Sequence, residues 1–185
     1  MKFEIIIAGF GGQGVLLAGI LIAQAALEEG FYTTWFPSYK AEIRGGTANS
    51  TVIISDDEIG SPVLFSPSAL IALNESSLDD FMPKIINEDA IIIANASVIS
   101  QNKEYRIKPH FMHLTEIADR EIKNVKVANM IATGALIKAL KIHVKCGKNL
   151  SLASLLLACE KIFSPKQELI EVNRKAITTG FNLIN

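Results

Sequence analysis

The chain has 185 residues, 49% hydrophobic and 20% charged, with a formal net charge of −1 and a pI near 6.3. That length supports one domain, residues 1–185, whose core needs neither disulfides nor metal. The near-neutral charge argues against nucleic-acid or membrane-surface partners, and the apolar excess over an average soluble domain points to a surface covered by a partner subunit.

Residues 3–8 form a short β-branched run that breaks at Gly9, passes four glycines within six residues and becomes a helical pattern at Val15. A run that ends so early is no signal peptide, and the longest apolar segment, residues 15–27, falls short of the ~20 a spanning helix needs. A soluble, cytoplasmic protein is expected. Val15, Leu16, Ile20, Ala23 and Leu27 recur at helical spacing over residues 13–29, and Gly30 supplies a stop. Small residues Ala18, Gly19, Ala23 and Ala26 let that helix lie close on a sheet. A second strand, 31–36, stops at Pro37, which completes a βαβ unit.

Residues 37–48 are polar, open with proline, contain Gly45-Gly46 and carry no periodicity; loops of that length inside a compact domain are usually functional. A strand at 49–55 and an acidic turn at 56–58 follow, and Ser61-Pro62 begins a segment that ends in a strand at 69–73. Ser76 or Ser77 is expected to cap a short helix with Asp79 and Asp80 in its first turn. The apolar run 90–94 suits a strand buried on both faces. Residues 98–108 suggest a strand pair leading to 110–114, then a helical turn around Thr115 and Asp119. Helices are expected at 128–141, at 152–163 behind Ser151, and from Pro165 to about 181. The alternation predicts an α/β fold: a single Rossmann-like three-layer domain with a mainly parallel sheet and C-terminal helices. Cys146 and Cys159 stand thirteen apart without a C-x-x-C pair, so this chain carries no iron–sulfur or zinc framework and its thiols are expected to be buried.

Gly9, Gly11, Gly12 and Gly14 fit G-x-G-x-x-G between strand and helix, the setting of a dinucleotide fingerprint. That fingerprint also needs an acid at the end of the second strand, where this chain has Thr34-Trp35-Phe36-Pro37. A nicotinamide dehydrogenase is therefore disfavoured. Two readings fit the glycines: an anion-facing turn, or a tight turn with close helix–sheet packing. Gln13 exceeds what turn geometry requires, since its amide offers both a donor and an acceptor. In the second stretch Tyr39, Glu42 and Arg44 make either a recognition surface or a solvated ion pair.

The order of the motifs G-F-G-G-Q-G-V-L-L-A-G, P-S-Y-K-A-E-I-R-G-G-T-A-N-S-T-V and I-G-S-P-V resembles the gamma subunit of 2-oxoacid:ferredoxin/acceptor oxidoreductases, and most of all its 2-oxoglutarate branch. The likeness is dense over residues 3–75 and looser through V-A-N-M-I-A-T-G-A-L and E-L-I-E-V-N-R-K-A. It implies a multisubunit enzyme that oxidatively decarboxylates a 2-oxoacid with coenzyme A to an acyl-CoA, such as succinyl-CoA. It also implies alpha, beta and ferredoxin-like delta partners that hold thiamine diphosphate, Mg and iron–sulfur clusters, with ferredoxin as acceptor.

Carried over by residue, Gly9, Gly11, Gly12, Gln13 and Gly14 form a coenzyme A-facing turn. Ser38, Tyr39, Glu42, Arg44, Gly45 and Gly46 form the loop toward substrate and partner subunits, with Lys40 where the family often has glycine. The resemblance implies no catalytic side chain and no metal ligand in this chain. The cluster Lys138, Lys141, His143, Lys145 and Lys148 reads as a solvated helix end or as a phosphate site. His110 and His113 are expected on opposite faces of a strand, a poor metal pair. The alternative to a redox subunit is a freestanding nucleotide- or acyl-CoA-binding module.

Overall fold

Four consecutive residues, Ile5, Ile6, Ile7 and Ala8, are at most 2% exposed, which requires a central strand covered on both faces. In the computed structural model, which describes residues 1–39, 47–140 and 150–184, they lie in β1 (Lys2–Phe10). The other strands are β2 (Tyr32–Tyr39), β3 (Thr47–Ser55), β4 (Ala69–Ala72), β5 (Ile91–Asn95) and β6 (His110–Met112). Among the described residues they form one six-stranded sheet of order β2-β3-β1-β4-β5-β6. β4, β5 and β6 run parallel to β1, while β3 is antiparallel to both β1 and β2. β3 alone therefore opposes the other strands, and the expected mainly parallel α/β sheet is observed.

The expected βαβ unit is split. β2 does not pair with β1, because β3 returns from β2 and takes the place beside β1, from Lys2↔Ser55 to Phe10↔Thr47. β2 also runs past Pro37, where a stop was expected, and pairs with β3 as far as Tyr39↔Ala48. It is an edge strand with one free side, where the missing N–H of proline is tolerated. Both ends of the expected 37–48 loop, residues 37–39 and 47–48, are therefore paired strand, while residues 40–46 lie outside the described residues.

Helices α1 (Val15–Glu28), α4 (Ala128–Leu140), α5 (Leu152–Phe163) and α6 (Gln167–Asn182) pack on one face with Ile5, Ile7, Val52 and Ile54. α2 (Glu75–Phe81) covers the other, with Ile6, Ala8, Leu70 and Ile92. α1 lies so close on β3 that a Cβ on Gly19 would overlap Ser50 Oγ, which Trp35 Nε1 reaches at 3.2 Å. α1 ends as predicted at Gly30, with φ 75°, where the Gly30 and Phe31 N–H groups return to the Leu27 and Ala26 carbonyls at 2.9 and 3.0 Å.

Other expectations change. Asn74, not Ser76 or Ser77, caps α2: its side chain accepts the Ser77 N–H at 2.9 Å, and Glu75 rather than Asp79 or Asp80 occupies the first turn. Residues 98–108 contain no strand; α3 (Leu114–Ile117) follows β6 and runs into a π-helical turn that ends at Lys123 with φ 61°. α6 begins at Gln167, two residues beyond Pro165. No helix among the described residues is long and apolar enough to cross a membrane.

α4 and α6 meet backbone to backbone. A Cβ on Gly180 would overlap the Ile131 carbonyl, and one on Gly134 the Ile177 carbonyl. Cys159, fully buried in α5, has its thiol pushed by burial from the ordinary 9.0 up to about 11.

Two outcomes follow for stability. Gly180→Ala is expected to lose roughly 1–3 kcal/mol or more in urea unfolding, because backbone cannot yield as a flexible side chain does. The raised Cys159 pKa contributes stability that is full below pH 9.0 and is lost as pH rises toward about 11. The stability of the parent chain should therefore fall more steeply than that of Cys159→Ala across that window in unfolding titrations.

Candidate functional site

From β1 the chain leaves through α1 on one face toward β2, and from β4 it leaves through α2 on the other face toward β5. β1 and β4 are parallel neighbours, so their carboxyl ends face a crevice between the starts of α1 and α2. Open α/β sheets bind ligands at such a switch point.

The glycine turn occupies one wall of that crevice. Gly9 is buried, and a Cβ there would meet Gln13 Oε1 at 2.7 Å and Val15 Cγ2 at 2.9 Å. Gly14 has φ 72°, and a Cβ there would overlap the Asn129 amide, whose Nδ2 donates to the Gly14 carbonyl at 2.9 Å. Gly12 differs from both: its φ is 93°, and the place of a Cβ is open space. Gly11 and Gly12 face solvent beside the exposed ring of Phe10. No side chain caps α1 and no acid stands in its first turn, so its leading N–H groups keep their positive end.

Gln13 fastens this turn to the opposite wall. Its Oε1 accepts the Phe10 N–H at 2.7 Å and Asn74 Nδ2 at 3.0 Å, while Nε2 donates to the Leu73 carbonyl at 3.3 Å. Asn74 uses its other amide atom to cap α2. One side-chain amide thus links the end of β1, the end of β4 and the start of α2. The donor and acceptor that set Gln13 apart in the sequence are engaged within the chain.

The second stretch arrives at the same end of the sheet. Tyr39 pairs with Ala48, and Ala48 with Gly9; Phe10 pairs with Thr47; Ser38 pairs with Asn49, which pairs with Ala8. The flanks of residues 40–46 therefore stand in one row with the glycine turn. Lys40, Glu42, Arg44, Gly45 and Gly46 lie outside the described residues, as do Lys141, His143, Lys145, Cys146 and Lys148.

Away from this end the other charged groups disperse. Glu28, at the far end of α1, pairs with Lys161 of α5 at 2.5 Å, and that hydrogen bond holds its carboxyl below the ordinary value. Lys138 stands over the Phe181 ring at 5.0 Å. His110 is in β6, but His113 lies beyond it and meets Glu116 at 3.1 Å, and no group of metal-ligating side chains forms among the described residues.

Two site residues escaped the sequence reading, Asn74 and Asn129. Asn74 directly follows an apolar strand and precedes Glu75-Ser76-Ser77, a capping signal. Asn129 is 2% exposed with its Oδ1 unpartnered, and its link to Gly14 spans too much chain for any local pattern.

Comparison with known proteins matches residues 4–183 to the family model for pyruvate ferredoxin/flavodoxin oxidoreductase. The ketoisovalerate oxidoreductase subunit VorA of Methanothermobacter marburgensis is 36% identical over 174 residues, 94% of this chain but only 35% of that protein. The chain thus spans about a third of the length of that relative. The 2-oxoglutarate synthase subunit KorC of the same organism is 38% identical over 145 residues, 75% of this chain and 78% of that one. The crystal structure of the gamma subunit of a keto/oxoacid ferredoxin oxidoreductase from Geobacter sulfurreducens superposes with a TM-score of 0.77 at 27% identity, covering 97% of this chain and 96% of the other.

Gln13→Ala removes three hydrogen bonds across the crevice and is expected to cost about 1–3 kcal/mol in chemical unfolding. Gln13→Glu keeps both acceptor contacts but sets a carboxylate against the Leu73 carbonyl, so its loss should shrink as pH falls through the carboxylate range. A pH-independent loss would show that the Leu73 contact carries no weight.

Proposed function

The chain belongs to the pyruvate ferredoxin/flavodoxin oxidoreductase family, and on that premise we propose that it is the gamma subunit of a multisubunit 2-oxoacid:ferredoxin oxidoreductase. The observation that carries this reading is the solvent-facing glycine turn at the β1/β4 switch point, in one row with the flanks of residues 40–46. The turn fits an anionic ligand: α1 is uncapped, its first turn has no acid, and Gly12 leaves open space where a side chain would stand. A phosphate of coenzyme A has the charge and size for that place.

Each residue then has a distinct task. Gly11, Gly12 and the leading N–H groups of α1 meet the phosphate, while Gly9 and Gly14 allow the close packing that sets the turn. Gln13 fixes the turn against β4. Ser38, Tyr39, Glu42, Arg44, Gly45 and Gly46 wall the active site toward the partner subunits, and Arg44 supplies a planar fork for a carboxylate or phosphate. Coenzyme A, when bound, supplies the thiol that receives the acyl group. Thiamine diphosphate, Mg and the iron–sulfur clusters belong to alpha, beta and delta subunits, and electrons leave to ferredoxin.

The 2-oxoacid we favour is 2-oxoglutarate. Its support is the T-A-N-S-T-V and I-G-S-P-V pattern and the likeness to a 2-oxoglutarate synthase subunit of comparable length.

Native purification tests the reading: the chain is expected to return with larger subunits, thiamine diphosphate and iron, and the preparation to turn over 2-oxoglutarate faster than pyruvate or 2-ketoisovalerate. A chain that purifies alone with bound nucleotide would instead be a freestanding binding module. In the assembled enzyme Gly12→Ala should leave the fold intact, at a cost of roughly 1–2 kcal/mol for its positive φ. The same variant should raise the coenzyme A KM about tenfold, the equivalent of about 1.4 kcal/mol. An unchanged KM removes the phosphate from this turn. Arg44→Ala with unchanged turnover and KM removes Arg44 from the wall.

A further inference from the structure

Among the described residues, one part of the second sheet face carries no helix. Trp35, Ser50, Val52 and Ile54 point to α1, so alternation turns Tyr32, Thr34, Phe36 and Ser38 of β2, with Asn49, Thr51 and Ile53 of β3, the other way. α2 packs on β1 and β4 instead. Over β2 and β3 the cover is residues 59–65, which wall two hollows. One, of about 390 Å³, is lined by Phe36, Ser38, Asn49, Thr51, Pro62 and Val63. The other, of about 290 Å³, holds Ser55, Glu58 and Phe65.

This segment is held firmly from beneath. The Glu4 carboxylate, 4% exposed, accepts the Phe65 and Ser66 N–H groups at 2.6 and 2.8 Å, and Lys2 pairs with its other oxygen at 2.7 Å. The side chains so positioned are left in water: Val63 is 59% and Phe65 72% exposed, beside Phe36 at 56%. A backbone fixed by a buried carboxylate that presents large apolar groups outward is a preorganised contact surface. Exposed Asp57 and Glu58 give its rim negative charge.

We propose that this face receives another polypeptide of the same enzyme. The occupant is the chain corresponding to the length of the ketoisovalerate oxidoreductase subunit that this chain does not span. It sets an apolar side chain between Phe36 and Val63 and a Lys or Arg toward Asp57 and Glu58. Ser38 and Asn49 carry the hollow toward the glycine turn, so the same contact closes the site from the side. The inference rests on the reading of the chain as a subunit.

Co-expression of the full chain with the polypeptide of its own cell that matches that remaining length tests both. The wild-type chain and Leu157→Asp, a change on α5 outside this face, are expected to co-purify with it. Val63→Asp should reduce the co-purified amount at least about tenfold while keeping its thermal midpoint within a few degrees of wild type. If Val63→Asp fails to fold, Glu58→Lys is read in its place, with a loss of at least about threefold. Full co-purification of the folded variant overturns the surface and leaves the subunit reading intact. No complex with the wild-type chain overturns both. A homodimer of the chain alone that Val63→Asp dissociates overturns the proposal in favour of a second copy.

Discussion

The central constraint is β1, which must be paired on both edges and buried on both faces. Ile5, Ile6, Ile7 and Ala8 have no exposed side, so the chain supplies a partner on each flank and helices above and below. On one flank this is met antiparallel, by β3 folding back from β2; on the other it is met parallel, by β4. The two solutions place α1 and α2 on opposite faces, and the crevice at the carboxyl end of β1 is a consequence of that division. At that end Gly9 and Gly14 are required by close packing, and Gly12 and Gly14 by their positive φ, so glycine gathers there for two different reasons.

Within the crevice, rigidity and openness are assigned to different residues. Gln13, Asn74 and Asn129 hold the walls through side-chain amides, whereas Gly11 and Gly12 keep the outward surface bare. Fixed donors that need no rearrangement bind an anion with little ordering cost. A side-chain cap on α1 would consume the same N–H groups. Its absence leaves those N–H groups free for the proposed phosphate.

What could be read from the sequence was local. The helices at α1, α4 and α5, the buried strand β5 and the stop at Gly30 follow from periodicity and capping within a few residues. The place of β3 between β1 and β2 could not be read, because strand order depends on pairings far apart in the chain. Pro37 reads locally as a stop, and only the position of β2 at the sheet edge makes it harmless. Gln13 stands out in the sequence, but its partners Leu73 and Asn74 lie some sixty residues away, so its place in the crevice has no local signature. Ser76 and Ser77 competed with Asn74 for the cap because all three are capping residues in one short run.

The close approach of α4 and α6, at Gly134 against Ile177 and at Gly180 against Ile131, bears on how the chain is made. α4 is nearly complete in its burial, yet the groove that accepts Ile177 and Gly180 is filled by the last helix of the described residues. During synthesis α6 leaves the ribosome after every strand and every other described helix. Until it emerges, Ile131 has no cover on that side, and the nascent layer of helices is left with exposed apolar surface. Closure of the larger core therefore waits on α6, and the exposed apolar layer persists on the nascent chain until α6 is made.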